Sequence, residues 1–268
     1  MNNLLHKEIH NAATQLRLPT IARQAESTFV KAGHQEALVT LAELLQMECG
    51  ARQGRRVERL RAASRLPEGK TLSNLEKSRL PRAVVQSLND LTTGAFVQEA
   101  VNVLAFGLPG VGKTHAVTAL GHALIDVGIP VYFTPTFRLV QELLVAKKEY
   151  ALPKALKRLE RFDVLILDDI GYVQQAQEEM EVLFTLLAER YERASTIITS
   201  NLVFSQWEQI FKNPLTTAAA IDRVVHHSVI LEFGKDSYRN EVAEKRAAKR
   251  VRPPDVQERE ALTTERPS

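Results

Sequence analysis

A glycine-rich segment from Gly107 to Thr114 carries the clearest chemistry in the sequence. It reads Gly-Leu-Pro-Gly-Val-Gly-Lys-Thr and fits the full pattern of a phosphate-binding loop. In such a loop the backbone N–H groups point at phosphate oxygens, the lysine faces the β and γ phosphates, and the hydroxyl of the last residue reaches Mg²⁺. We therefore predict ATP and Mg²⁺ as ligands. The positions expected to contact the nucleotide are Gly107, Leu108, Pro109, Gly110, Val111, Gly112, Lys113, Thr114 and His115.

A pair of acids lies about fifty residues further on. Asp168 and Asp169 directly follow the apolar run Val164 to Leu167, so a buried strand would deliver two carboxylates at its C-terminal tip. We predict that Asp168 and Thr114 hold the magnesium and that Asp169 orients and deprotonates the attacking water. An ordinary solvated loop is the alternative for two acids after a strand. The phosphate-loop pattern upstream favours the catalytic interpretation.

Short apolar runs must position these groups. They alternate with helical segments after residue 82, and each is mainly apolar rather than alternating, as in strands that helices cover on both faces. This rhythm predicts an α/β core with a five-stranded parallel sheet. The runs are Val101 to Phe106, Val131 to Thr134, Val164 to Leu167, Thr196 to Ser200 and Val229 to Phe233.

The first part of the chain has a different pattern. Apolar residues recur there at spacings of three and four, which predicts helices at about 2–16, at 19–32 and from 36 onward. We expect a small all-helical domain to precede the core. The predicted divisions are a helical domain at 1–66, a linker at 67–81, the nucleotide-binding core at 82–235 and a basic, partly disordered tail at 236–268.

These motifs together resemble the AAA+ branch of P-loop ATPases. The segments DDIGYV, LLAERYERASTIITSNLVFSQW and AAAIDRVVHHSVILEFGKDSYR are, in order, similar to the IstB family of insertion-sequence transposition helpers, whose wider relatives are DnaC helicase loaders and DnaA initiators. The resemblance covers nearly the whole chain. It implies that Asn201 is a polar sensor of the γ phosphate and that Arg223 is an arginine finger acting on a neighbouring subunit. A strand-end turn and a surface arginine paired to Asp222 are the alternatives for these two residues.

The sequence also departs from that class at two places. Its acid pair is Asp-Asp where many relatives have Asp-Glu, and because the shorter side chain reaches the water less well we expect slow hydrolysis. A complete C-terminal helical lid is not evident, and Arg239 is the candidate for a second sensor.

Clustered cations suggest a polyanionic partner. The net charge is only +3 and the isoelectric point is near 9.0, but Arg52, Arg55, Arg56 and Arg59 have the spacing of one helical stripe. We predict that this stripe contacts DNA phosphates without reading sequence. A second set with the same spacing is Lys154, Lys157, Arg158 and Arg161. For both sets a solvated helix face is the alternative.

The resemblance and the motifs together predict an ATP-dependent regulator of transposition. It would assemble as a homo-oligomer on duplex DNA and would recruit and stimulate the transposase of the same element. A DnaC-like helicase loader acting on single strands and a metabolic P-loop kinase remain the alternatives, of which the kinase lacks a readable acceptor pocket. The single cysteine, Cys49, and the absence of a signal peptide or long apolar run favour a cytoplasmic protein without a membrane partner.

Overall fold

A parallel sheet forms the centre of the molecule. The computed structural model describes residues 2–172, 177–202, 224–225 and 227–234. All strand pairs are parallel, with the spatial order β2-β3-β4-β1-β5. This confirms the predicted five-stranded sheet. The strands are β1 (Asn102–Phe106), β2 (Val131–Pro135), β3 (Val164–Asp168), β4 (Ser195–Ser200) and β5 (Ser228–Glu232).

Helices cover both faces of this sheet. Successive residues of a strand point to opposite faces, so in β3 Leu165 and Leu167 belong to one hydrophobic cluster while Val164 and Ile166 belong to the other. The strands are therefore apolar on both sides. The described helices are α1 (Asn2–Gln15), α2 (Pro19–Lys31), α3 (Ala37–Ser64), α4 (Arg82–Leu91), α5 (Ala95–Gln98), α6 (Lys113–Asp126), α7 (Thr136–Lys148), α8 (Leu152–Leu159) and α9 (Gln177–Arg190).

The three N-terminal helices form a cluster of their own. Their bounds lie within about a residue of the predicted ones, and their apolar faces meet around Ala13, Leu16, Leu38 and Leu45. None of the helices in the described part of the chain combines the length and apolar character needed to cross a membrane.

Helix α3 belongs to both parts of the molecule. Its first half packs against α1 and α2, whereas Val57 and Leu60 in its second half pack against the core that contains α6. The segment 67–81, predicted as a linker, also lies against this core, since Leu75 is buried and Leu80 packs on the same cluster.

A buried arginine lies at the amino-terminal ends of the strands, on the side of the sheet opposite the phosphate loop. Arg190 donates hydrogen bonds to the carbonyl oxygens of Asp163 and Ser195, just before β3 and at the start of β4, and to the hydroxyl of Thr196. Burial lowers the pKa of Arg190 to about 10, so the guanidinium remains charged near neutral pH. Its hydrogen bonds therefore hold the amino-terminal ends of two strands together.

Candidate functional site: the carboxyl edge of the sheet

The phosphate loop connects the end of β1 to the start of α6. Gly112 caps α6 with φ of 99°, a backbone conformation that glycine adopts without strain. At Gly107 an added Cβ would lie 2.9 Å from Cβ of Phe233, so the approach of β5 also requires glycine there. The first N–H groups of α6 have no partner within the helix and add a partial positive charge at the loop. The loop is therefore shaped and polarised to receive an anion.

Lys113 lies on the inner side of this loop. Its side chain is buried, and Nζ donates hydrogen bonds to the carbonyl oxygens of Gly107 at 2.7 Å and Leu108 at 2.9 Å. These two carbonyl oxygens hold the ammonium against the loop. The lysine is thus held in position to face a bound polyphosphate.

Asp168 is the centre of a hydrogen-bonded cluster. Its Oδ1 accepts one bond from Oγ1 of Thr114 at 2.9 Å and another from Oγ1 of Thr199 at 2.8 Å. The cluster thus joins the start of α6 to the ends of β3 and β4, the two strands that lie next to each other in the sheet.

The pair Thr114 and Asp168 fits a magnesium ion. A hydroxyl oxygen and a carboxylate oxygen lie 2.9 Å apart there, and oxygen donors of this kind are the ligands that Mg²⁺ prefers. Within the described ranges no group of three or more His, Cys, Asp or Glu side chains could hold a metal.

Asp169 has a constrained backbone. Its φ of 63° lies in the left-handed region, and its N–H donates to Oγ1 of Thr199 at 2.7 Å. Aspartate tolerates this conformation better than most non-glycine residues do, and the hydrogen bond to Thr199 holds it there. Thr199 therefore orients both acids, since its hydroxyl donates to Asp168 and accepts from Asp169.

Asn201 lies just beyond the end of β4, between the strand that ends in the phosphate loop and the strand that ends in Asp168. Its Oδ1 is buried and accepts no hydrogen bond from the described residues. A Cβ added at Gly171 would overlap this oxygen, so the glycine makes room for the amide. A buried amide oxygen without a hydrogen-bond partner at this edge is suited to accept a hydrogen bond from a ligand or a water molecule.

The remaining nucleotide-site residues fall into two groups. Leu108 and Pro109 are exposed on the loop, whereas Val111 is buried, and Nε2 of His115 is buried without a partner in the described part of the chain. Arg223 and Arg239 lie outside the described residues.

Two threonines were not singled out from the sequence. Thr199 links the two acids, and Oγ1 of Thr136, the first residue of α7, donates to the carbonyl oxygen of Asp168 at 3.0 Å. Both residues lie at or next to the end of a strand. That position is the signal by which the sequence could have indicated them as site residues. Neither position could be ranked without knowing which strands are neighbours.

The four arginines of the α3 stripe are exposed but engaged in contacts within the chain. Arg52 and Arg55 share Oε1 of Glu48, at 2.8 Å and 3.2 Å, and the hydrogen bond from Arg52 is the main reason that the pKa of Glu48 is lowered. Arg56 donates to the carbonyl oxygen of Gly128 at 3.0 Å, and Nε of Arg59 donates to that of Arg55 at 3.3 Å. Arg56 therefore links α3 to the core, whereas the bonds of Arg55 and Arg59 lie within α3.

Comparison with known protein families places this chain in a defined group. A family profile described as IstB-like ATP binding protein matches residues 11–247. An insertion-sequence ATP-binding protein of Sinorhizobium fredii is 39% identical over 260 residues, covering 92% of this chain and 87% of the relative. The ATP-binding protein of insertion sequence IS21 from Pseudomonas aeruginosa is 37% identical over 243 residues, covering 90% and 91% of the two chains.

Solved structures share the fold at lower identity. The DnaC helicase loader superposes with a TM-score of 0.51 at 22% identity, covering 66% of this chain and 99% of the loader. AMPPCP-bound DnaA from Aquifex aeolicus superposes with a TM-score of 0.55 at 16% identity, covering 74% and 60%. These similarities place the core among AAA+ P-loop folds.

Proposed function

The chain belongs to the IstB-like ATP-binding protein family, and we propose that it is an ATP-hydrolysing regulator of transposition that assembles on duplex DNA and stimulates the transposase of its own insertion sequence. The observation that carries the proposal is the junction of Thr114, Asp168 and Thr199 at the end of the phosphate loop. Together with relatives that are named as insertion-sequence ATP-binding proteins, it supports nucleotide-controlled action in transposition.

The residues divide the work of hydrolysis among them. Lys113 and the loop N–H groups bind the β and γ phosphates, and Thr114 and Asp168 would hold the magnesium. A bound Mg²⁺ ion would neutralise phosphate charge and orient the γ phosphate. Asp169 would accept a proton from the attacking water, with Asn201 placed to orient the water or the γ phosphate.

Arg223 would make hydrolysis depend on the assembly of subunits. We propose that it reaches the nucleotide of a neighbouring subunit, where a guanidinium stabilises the charge that develops on the transferred phosphoryl group. Hydrolysis would then depend on the homo-oligomer that forms on DNA. It would be slow because the Asp169 side chain is short.

The α3 stripe is the proposed DNA contact. Arg55 and Arg59 are exposed, and phosphate oxygens can replace Glu48 and solvent as partners of their guanidinium groups. Such contacts would be independent of sequence. The partners of the protein are then duplex DNA, further copies of itself and the transposase, which together imply a cytoplasmic site of action.

Binding to nucleic acid over a salt series tests this function. Fluorescence anisotropy of labelled random duplexes and single strands, with and without ATP and Mg²⁺, should show tighter binding to duplex, strengthened by ATP and weakened linearly with the logarithm of salt. Addition of the transposase encoded by the same element should then give ATP-dependent strand transfer. A clear preference for single strands, with no effect on the transposase, would instead support the helicase-loader function.

A further inference from the structure

Asn102, the first residue of β1, is a buried polar residue in a strand that is otherwise apolar. All five residues of β1 are buried, and asparagine is among the residues that strands seldom contain. A buried amide is unfavourable unless its oxygen and its nitrogen both have hydrogen-bond partners. Asn102 finds these partners in two backbone groups that lie far apart in the sequence.

The first hydrogen bond joins Asn102 to the neighbouring strand β4. Its Oδ1 accepts from the backbone N–H of Thr196 at 2.9 Å. β4 is the central strand of the sheet, and its other end carries Thr199, whose hydroxyl bonds both acids of the nucleotide site. Asn102 is therefore fixed to a strand that extends to that site.

The second hydrogen bond reaches the residue next to Arg223. Nδ2 of Asn102 donates to the carbonyl oxygen of Val224 at 3.1 Å, and both residues are buried. An amide offers both the acceptor that Thr196 needs and the donor that Val224 needs. Since Val224 directly follows Arg223 in the chain, Asn102 holds the backbone one residue from the proposed arginine finger.

Further contacts hold the same short segment. The backbone N–H of Asn102 donates to the carbonyl oxygen of His227 at 2.7 Å, and Oγ of Ser228 donates to that of Val225 at 3.0 Å. The side chain of Val224 belongs to the hydrophobic cluster on one face of the sheet. Together these contacts fix Val224 and Val225 against the start of β1.

The anchored segment lies at the edge of the sheet opposite the phosphate loop of the same subunit. Asn102 begins β1, and Gly107 begins the loop five positions later, at the other end of the strand. At about 3.3 Å per residue these two positions are about 16 Å apart. A residue joined directly to Val224 therefore starts from the edge remote from its own γ phosphate, which favours a role at the nucleotide of a neighbouring subunit.

We infer that Asn102 is a positioning residue for the arginine finger. Its amide holds the Val224 carbonyl so that Arg223 is presented to the neighbour's nucleotide from a fixed stem. This inference rests on the proposed function, because it requires Arg223 to act across subunits. Loss of the amide leaves the subunit's own phosphate loop intact but misplaces the finger that it offers to its neighbour. A misplacement of about 1 Å can lower turnover by about 100-fold.

Asn102→Ala tests this role in the full-length protein. Turnover should fall by roughly 10- to 100-fold, while the affinity for a fluorescent ATP analogue stays at the wild-type level. Mixing experiments then show which site is damaged. Turnover should recover with Lys113→Ala subunits, which lack the phosphate-loop lysine but offer an intact finger. It should not recover with Arg223→Ala subunits, which have an intact nucleotide site but no finger.

Ser64→Ala is the matched control. The Ser64 hydroxyl is fully buried at the end of α3, where it donates to the carbonyl oxygen of Arg61 and accepts from the N–H of Leu66. Its loss removes the same two kinds of hydrogen bond as Asn102→Ala does, but outside the sheet. Ser64→Ala should lower the midpoint of thermal unfolding, as Asn102→Ala does, and should keep wild-type turnover.

A second variant carries the test if Asn102→Ala does not fold. Ser228→Ala removes the hydrogen bond to Val225 from a hydroxyl on a residue that is only half-buried. Its turnover should fall below that of the wild type, with the same pattern of recovery in the two mixtures.

Two results would overturn the inference and leave the proposed function standing. One is wild-type turnover in Asn102→Ala. The other is a lack of recovery with Lys113→Ala subunits, whether or not Arg223→Ala subunits restore turnover, because the damage would then lie in the subunit's own nucleotide site. If Lys113→Ala and Arg223→Ala subunits co-assemble without restoring each other, the finger does not act across subunits, and the role of Asn102 is lost with it.

Discussion

The carboxyl edge of the sheet and the basic faces of the helices differ in how their functional groups are held. At the edge, Thr114, Asp168 and Thr199 come from separate parts of the chain and meet within hydrogen-bonding distance. On the helix faces, side chains with the same spacing differ in their ion pairing. Arg55 is paired with Glu48, whereas Lys157 makes no ion pair with a described residue. At the carboxyl edge of the sheet, the order of the strands brings the functional groups together. On the helix faces, the acidic residues nearby determine which cations are free to contact a ligand.

This difference predicts two separable sets of variants. Changes at the sheet edge should alter nucleotide binding and turnover while leaving the nucleotide-independent attraction to DNA in place. Changes on the helix faces should weaken the attraction to DNA while leaving nucleotide binding unchanged.

The largest effect is expected from Lys113→Ala. Without the ammonium, the charge on the β and γ phosphates loses its nearest positive partner, so ATP affinity should fall by roughly 10- to 100-fold and all ATP-dependent assembly should disappear. A fluorescent ATP titration measures this, with Lys31→Ala at the exposed end of α2 as the control. Wild-type affinity in Lys113→Ala would remove the assignment of the phosphate loop.

Loss of the proposed arginine finger should be the next largest effect. Arg223→Ala should lower turnover by about a thousandfold, since an arginine finger contributes that much or more in related chemistry. Mixing Arg223→Ala with Lys113→Ala protein should restore activity, because some interfaces would then combine an intact phosphate loop with an intact finger. If mixtures that demonstrably co-assemble stay inactive, Arg223 does not act across subunits.

The two acids should give different defects. Asp169→Asn should keep ATP binding and slow hydrolysis by roughly 100-fold, because it removes the proton acceptor. Asp168→Asn should mainly raise the Mg²⁺ concentration needed for ATP binding. Magnesium titrations of binding and of single-turnover hydrolysis separate the two, and wild-type turnover in both variants would make the pair structural.

Thr199→Val should have a smaller effect at the same edge. The valine keeps the shape but removes the hydroxyl that joins Asp168 to the N–H of Asp169, so turnover should slow by about tenfold while ATP remains bound. Thr185→Val is the matched control, because among the described residues the Thr185 hydroxyl bonds only the carbonyl oxygen of Glu181 in its own helix. Equal turnover in the two variants would leave Thr199 without a positioning role.

The smallest effects belong to the α3 stripe. Arg55→Ala should lower the salt slope by less than one, because DNA must first displace Glu48 from this arginine. Glu48→Gln should strengthen duplex binding several-fold by releasing Arg52 and Arg55. The low pKa of Glu48 keeps this acid ionised near neutral pH, so the wild-type competition persists there. A loss of one full unit of slope in Arg55→Ala would contradict this competition by Glu48.

Arg56 is unsuitable for that test. Its guanidinium bonds the carbonyl oxygen of Gly128, so removing it would disturb the packing of α3 on the core. The sequence could not reveal this, since helical spacing places Arg52, Arg55, Arg56 and Arg59 on one side without showing what else lies there. It likewise gave no sign that Val57 and Leu60 would pack on the core.

The sheet was predictable for a physical reason. Buried parallel strands leave unbroken apolar runs in the sequence, and the phosphate loop must follow one of them. The role of Thr199 was not predictable, because it depends on β4 lying beside β3, a neighbour relation that no local pattern contains. Predicted roles for Asp169, Asn201 and Arg223 remain predictions until the variants are measured.

The most direct test of ATP-controlled assembly on DNA is the mass of the complexes formed on a random duplex. Mass photometry of the full-length protein should show multi-subunit complexes that contain DNA when ATP and Mg²⁺ are present, and much smaller species without nucleotide or with Lys113→Ala. The same distribution of masses with and without ATP, or oligomers that exclude the duplex, would contradict the account.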